Sequence, residues 1–171
     1  MARVTFNVKQ WLCVIVVLCC VFSGAGYAFL PVVGGSGNNQ EGAHIKRAAS
    51  QAISDNAVTA ISFDTETVDQ NNFWAASPNP TRITFNRTGW FITTCWVNWA
   101  THASGLRYID LYLNGATVIA YDRRAPISGS TMEFGVAATY YHTSGDYIEL
   151  RTYQSTGGPL NITASCQTVY S

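Results

Sequence analysis

Beyond residue 57 the chain breaks into short runs in which apolar and polar positions alternate, separated by turn residues. Residues 147–153 set Ile148 and Leu150 on one side and Tyr147, Glu149 and Arg151 on the other, the period of two expected of a half-buried strand. Ser144-Gly145-Asp146 ahead of this run and Gly157-Gly158-Pro159 behind it supply tight turns. In "RYIDLYLNG" the same rule turns Ile109, Leu111 and Leu113 inward and Asp110 and Tyr112 outward. Asn114-Gly115 then makes the hairpin turn into "ATVIAYDRR". Further strands are expected in "AVTAISFD", "TRITFN", "WFITTCWVNWAT", "TMEFGVAATYYHT" and "LNITASCQTVY". "DQNNFWAASPNP" reads as loop, because Pro78 and Pro80 bar a central strand. After the first thirty residues no amphipathic helical pattern of ten residues or more occurs, so the body is all-β: roughly eight closely spaced strands in a sandwich or jelly roll.

The N-terminus follows a different pattern. Arg3 and Lys9 precede an unbroken apolar run from Trp11 to Phe22, and "SGAGYA" offers small residues for cleavage after Ala28. Those parts, in that order, read as a secretory signal over residues 1–28. The rival reading is a retained anchor, since weak apolarity continues to Val33 and membrane contact would then run through residues 11–33. The glycine- and asparagine-rich residues that follow suggest a flexible tether over 29–50, with the folded domain at 51–171.

Composition narrows the function classes. Formal charge is zero and the ten basic residues are scattered, which excludes the basic stripe of a nucleic-acid-binding protein. Charged residues at 12% are outnumbered by aromatics at 13%, the balance of an extracellular or virion β domain more than of a cytosolic enzyme. His44, His102 and His142 share no metal-ligand spacing. No nucleophile elbow, Walker loop or dinucleotide fingerprint is present, so no catalytic residue, metal or cofactor is assigned. Asp64, Glu66 and Asp69 form a small acidic group that reads as a solvated loop, since the spacing of a calcium loop is absent, with calcium binding as the alternative. Asn86-Arg87-Thr88 and Asn161-Ile162-Thr163 match the glycosylation pattern.

Cys13, Cys19 and Cys20 lie in the apolar leader, leaving Cys95 and Cys166 in the body. They form either one bridge or two buried thiols packed as small hydrophobes. Trp90, Trp96 and Trp99 fall on one expected strand, Trp90 and Trp96 on one face and Trp99 on the other. Tyr140 and Tyr141 fall on another strand. Large apolar side chains on both faces suggest that the second face is buried between subunits, which makes Trp90, Trp96, Trp99 and Tyr140 candidate interface residues. The other readings are a sugar-binding aromatic platform and plain surface aromatics.

"AVTAISFDTETVD", "RITFNRTGWFITTCWVNW", "IDLYLNGATVIA" and "SGDYIELRTYQSTGG" together resemble the tumour-necrosis-factor-like jelly rolls, in particular the globular C-one-q heads of complement and their bacterial and bacteriophage relatives. The resemblance covers about residues 50–171. Trp90 stands where the family often has tyrosine, and no collagen-like Gly-X-Y stretch precedes the domain. The resemblance implies a ten-stranded, two-sheet jelly roll that assembles as a homotrimer. It also implies that the strands carrying Cys95 and Cys166 are neighbours and joined by a disulfide. The function implied is a non-enzymatic structural or binding module, foremost a phage virion protein such as a spike, fibre head or capsid decoration, whose partners would be other virion proteins or a host-surface glycan or receptor. The alternative is a secreted binder of carbohydrate or a cell-surface partner.

Overall fold

The computed structural model describes residues 41–125 and 130–170. The expected leader, the first part of the expected tether and the centre of the "APISGS" loop lie outside the described residues. Ten strands form two antiparallel sheets, and no helix occurs among the described residues. The strands are β1 (Gly42–Ile53), β2 (Thr59–Ala60), β3 (Thr65–Asp69), β4 (Arg82–Thr84), β5 (Gly89–Trp99), β6 (Arg107–Leu113), β7 (Thr117–Arg124), β8 (Met132–His142), β9 (Tyr147–Gln154) and β10 (Leu160–Tyr170). The first sheet runs β3-β1-β10-β5-β8. The second runs β2-β9-β6-β7, with β4 also paired to β9.

One boundary differs from the sequence reading. Residues 42–50, expected as tether, belong to β1, which pairs with β10 on one side and β3 on the other. Ala43 and Ile45 alternate into the core, but the β1–β10 register then shifts between Arg47 and Gln51. That irregularity breaks the period of two and hides the strand among charged and small residues.

The core lies between the sheets and is filled by the alternate residues of each strand. On β5 the odd-numbered positions from Phe91 to Trp99 are buried, and on β9 Ile148 and Leu150 face inward as their alternation requires. Phe73, Phe85 and Phe91 make one aromatic cluster, with ring centroids 4.4 to 6.1 Å apart. Each such side chain contributes about 1.5–3 kcal/mol by leaving water. Phe73 and Trp74 come from the proline-containing loop, which therefore closes one end of the core although it forms no long strand.

The Gly-Asp ahead of β9 ties three segments together. Gly145 has φ 98°, a conformation open to glycine at little cost. Asp146 Oδ2 accepts the Thr143 amide at 2.7 Å and Oδ1 accepts Asn114 Nδ2 at 2.8 Å, while Asn114 Oδ1 accepts the Tyr147 amide at 2.9 Å. The hairpin turn after β6 is thus bonded to the turn before β9. The Asn114 and Thr143 bonds hold the Asp146 carboxyl below the usual carboxylate range.

Candidate binding surfaces

The side of the first sheet that faces away from the core carries the even-numbered residues of β5. Trp90 is 54% exposed and Ile92 46%; across the β5–β8 ladder they stand opposite Tyr141, 49% exposed, and Thr139. The Trp90 and Tyr141 rings meet edge-on at 5.6 Å. Further along the same face Trp96 is half-buried opposite Ser165 of β10 and Gly135 of β8. His44 of β1 lies over this row, with Nε2 2.9 Å from Ser165 Oγ and its ring 6.3 Å from that of Trp96. Burial, and then the charge of Lys46, lower the His44 pKa from the ordinary histidine value. The result is an apolar, aromatic strip on the sheet face that a simple sandwich leaves to water.

The four aromatic residues expected at a subunit interface do not share a surface. Trp90 and Trp96 lie on this strip, but Trp99 is 1% exposed and belongs to the core of the sandwich, where its ring meets Phe134 at 6.3 Å. The odd position of Trp99 on β5 points it toward the second sheet, so it is not available to a partner. Tyr140 is opposite Phe91 in register and sits on the inward-facing side of edge strand β8, beside His142, at 37% exposure. Sequence reasoning left out Ile92, Tyr141 and His44 as members of the strip. The alternation from Trp90 to Ile92 signals the first, and the register, which only the folded sheet supplies, brings in the others.

Cys95 and Cys166 stand directly opposite on β5 and β10 and are disulfide-bonded, closing a sequence separation of 71 between two strands of one sheet. Both are buried in the core.

Of the acidic trio, Asp64 and Asp69 take structural roles, while Glu66 of β3 stands exposed. Asp64 accepts the backbone amides of Ala48 and Ala49 at 2.9 and 3.0 Å and pairs with Arg47 at 3.3 Å. Burial pushes its carboxyl up, but the Ala48, Thr65 and Ala49 bonds and the Arg47 charge outweigh that and hold it low. Asp69 accepts the amides of Phe73 and Trp74 and so anchors the loop that closes the core. Among the described residues no three histidine, cysteine or carboxylate side chains converge as metal ligands. His142 is buried, stacked on Phe85 at 3.8 Å, with Nδ1 unpartnered. His102 stays in the loop after β5. Arg107, at 0% exposure, reaches the His102 carbonyl at 2.7 Å and Met132 Sδ at 3.2 Å, and among the described residues it meets no carboxylate.

Comparison with solved structures assigns this architecture. The Eiger tumour necrosis factor of S. frugiperda superposes with a TM-score of 0.60 at 12% identity, covering 77% of this chain and 92% of that one. The globular domain of zebrafish complement 1qA superposes with a TM-score of 0.55 at 14% identity, over 77% and 96% of the two chains. Murine APRIL at pH 8.5 gives 0.53 at 13%, over 77% and 99%. The fold is the tumour-necrosis-factor-like jelly roll. No family model and no curated protein matches the sequence.

Proposed function

We propose that this domain is a non-enzymatic homotrimeric binding module that buries the aromatic strip of its first sheet between subunits. The observation that carries this reading is the exposure of Trp90, Ile92 and Tyr141 together on one sheet face, an apolar surface of the kind that marks an interaction site. The fold shared with Eiger, complement 1qA and APRIL supports the same reading. Asp64, Asp69 and Glu149 are bonded to backbone amides and arginines.

The module acts outside the reducing cytoplasm, displayed on a particle such as a phage virion as a spike, fibre head or capsid decoration. The buried Cys95–Cys166 bond and the apolar N-terminal run support such a location. Release as a free secreted binder is the second reading, favoured by the small residues that end that run at Ala28.

Sedimentation of the purified chain tests the assembly. The wild type is expected at three times the chain mass, and Trp90→Asp with Ile92→Asp is expected to give a folded monomer. A monomeric wild type, or a trimer indifferent to both substitutions, overturns it. Stoichiometric recovery with purified particles, against recovery free in the medium, separates the two settings.

A further inference from the structure

The second sheet presents a different outward face. Its strands place Tyr108, Asp110 and Tyr112 of β6, Tyr147, Glu149, Arg151 and Tyr153 of β9, Tyr121 and Arg123 of β7 and Arg82 of β4 away from the core. The two acids lie at the bottom of this layer. Glu149 and Asp110 side chains are 6% and 3% exposed, whereas those of Arg82, Arg123 and Arg151 are 37%, 52% and 26% exposed.

Each guanidinium is fixed from two sides. Arg82 Nε lies 3.1 Å from Glu149 Oε1 and its guanidinium 4.0 Å from the centre of the Tyr147 ring. Arg151 Nη2 lies 2.5 Å from Glu149 Oε2, with its guanidinium 4.4 Å from the Tyr112 ring. Arg123 reaches Asp110 at 3.3 Å and lies against Tyr108 and Tyr121 at 4.8 and 5.1 Å. Tyr108 in turn stacks on Tyr153 at 4.8 Å, the rings 9° from parallel. Burial pushes the Glu149 carboxyl up, but its bonds to Arg151 and Arg82 and their charges outweigh that and keep it ionised well into acid.

This layering sets what an incoming surface meets. The carboxylates hold the arginines from beneath and are themselves withdrawn from solvent, so the accessible layer is guanidinium edges and tyrosine rings. Arg82 and Arg151 grip the two oxygens of one carboxylate, and Arg151 and Asp110 are register partners across the β6–β9 ladder. Three cationic groups therefore share one short stretch of sheet, about a strand spacing apart, on a chain whose formal charge is zero. Arginine and tyrosine are the residue types that carry binding energy at protein interfaces. Here their rotamers are already restrained by ion pairs and ring contacts, so little side-chain freedom remains to be lost on contact.

We infer that this tyrosine–arginine face is a docking surface for an acidic protein partner, whose exposed carboxylates meet the edges of Arg82, Arg123 and Arg151 while its backbone and apolar groups cover the tyrosine rings. The inference deepens the binding-module reading: the first sheet serves self-association and the second serves the partner. Specificity comes from the N–H groups that Arg82, Arg123 and Arg151 do not give to Glu149 and Asp110, which form charge-assisted hydrogen bonds to carboxylates, and encounter with an acidic surface is accelerated in a salt-dependent way.

The probe is fluorescein-labelled poly-L-glutamate, titrated into the full chain at low and at physiological salt, with sedimentation run on the same samples. Saturable binding is expected, weakened at least tenfold by Arg82→Gln with Arg123→Gln and severalfold by Tyr121→Ser. Tyr121 is 67% exposed, so its replacement leaves folding intact and keeps the inference open to refutation where the double arginine variant fails to fold. Absence of saturable binding to the wild type, or binding indifferent to the Tyr121 variant, overturns the inference. Tighter binding of heparin at matched charge and salt overturns it in favour of an anionic polysaccharide. A trimer that ignores polyglutamate removes this inference and leaves the proposed function standing, while a monomer that binds it does the reverse.

Discussion

Replacing both Cys95 and Cys166 by alanine removes a crosslink that closes a sequence separation of 71. Chain-entropy arithmetic for a loop of that length gives about 15 cal/mol/K, or about 4 kcal/mol at 25 °C, as the stability lost when the unfolded chain regains its freedom. Both side chains are almost fully buried, at 2% and 1% exposure. The two small voids left by the sulfurs therefore add about 1 kcal/mol. For a domain of this size the sum lowers Tm by about 12–20 °C. The assay is urea unfolding of wild type, reduced wild type and the double alanine variant at one protein concentration, because self-association stabilises by mass action. Reduced wild type reports the crosslink alone and the variant reports crosslink plus voids. The slope of stability against urea is expected to rise in both, since an uncrosslinked unfolded chain exposes more surface. A loss below about 1 kcal/mol with an unchanged slope would refute the reasoning, for it would mean that the unfolded chain keeps β5 and β10 together without the bond.

Acid should act on this domain in two windows. Burial holds His142 below the ordinary histidine pKa, so its contribution is complete above about pH 6.5 and is lost as pH falls through the lower folded value. His44 titrates in the same sense. His142→Phe is expected to flatten stability below pH 6.5 in part, and His44→Gln with His142→Phe to flatten it further; an unchanged profile in the double variant removes this account. Glu149, Asp64 and Asp146 have lowered folded pKa values, so their contribution is lost only at more acidic pH, as it drops through those values below about 4. Arg107→Met should leave stability within about 1 kcal/mol of wild type or raise it, because an aliphatic side chain carries no desolvation cost at a site with 0% exposure. Chemical denaturation checks this, and a loss above about 3 kcal/mol would show that the bonds to His102 and Met132 outweigh burial of the charge.

Alternation and turn chemistry were enough to place β5 to β10 to within a few residues, because most of these strands alternate buried with more exposed positions and turn residues such as Asn114-Gly115, Gly145 and Gly157-Gly158-Pro159 separate them. β1 escaped notice for the opposite reason: a register irregularity after Arg47 interrupts its pattern. Parity on β5 correctly separated Trp90 and Trp96 from Trp99, but it could not say which set looked outward. That depends on where the second sheet lies. Asp110 was expected on the outward side and is there, yet it is 2% exposed, because Arg123 reaches across from β7 to cover it. Arg107 shows the converse, a charged residue at an inward position that alternation assigns to the core and composition assigns to the surface. Contacts between strands decide such cases: Arg123 lies 13 residues from Asp110 and Met132 lies 25 from Arg107, and alternation along one strand contains neither.

The position of β10 also fixes when the first sheet can exist. It lies between β1 and β5, yet it is synthesised after every other described strand. Until residues 160–170 have left the ribosome, the first sheet is at best two separate ribbons, β3 with β1 and β5 with β8, and two-stranded ribbons are marginal in water. The β6–β7 hairpin can form early from local contacts, but the strip bearing Trp90, Ile92 and Trp96 acquires its shape only when the last strand is threaded between its neighbours. The assembly proposed above through this strip is therefore open only to chains whose β10 has already been made, and nascent chains lacking it are poor partners for one another.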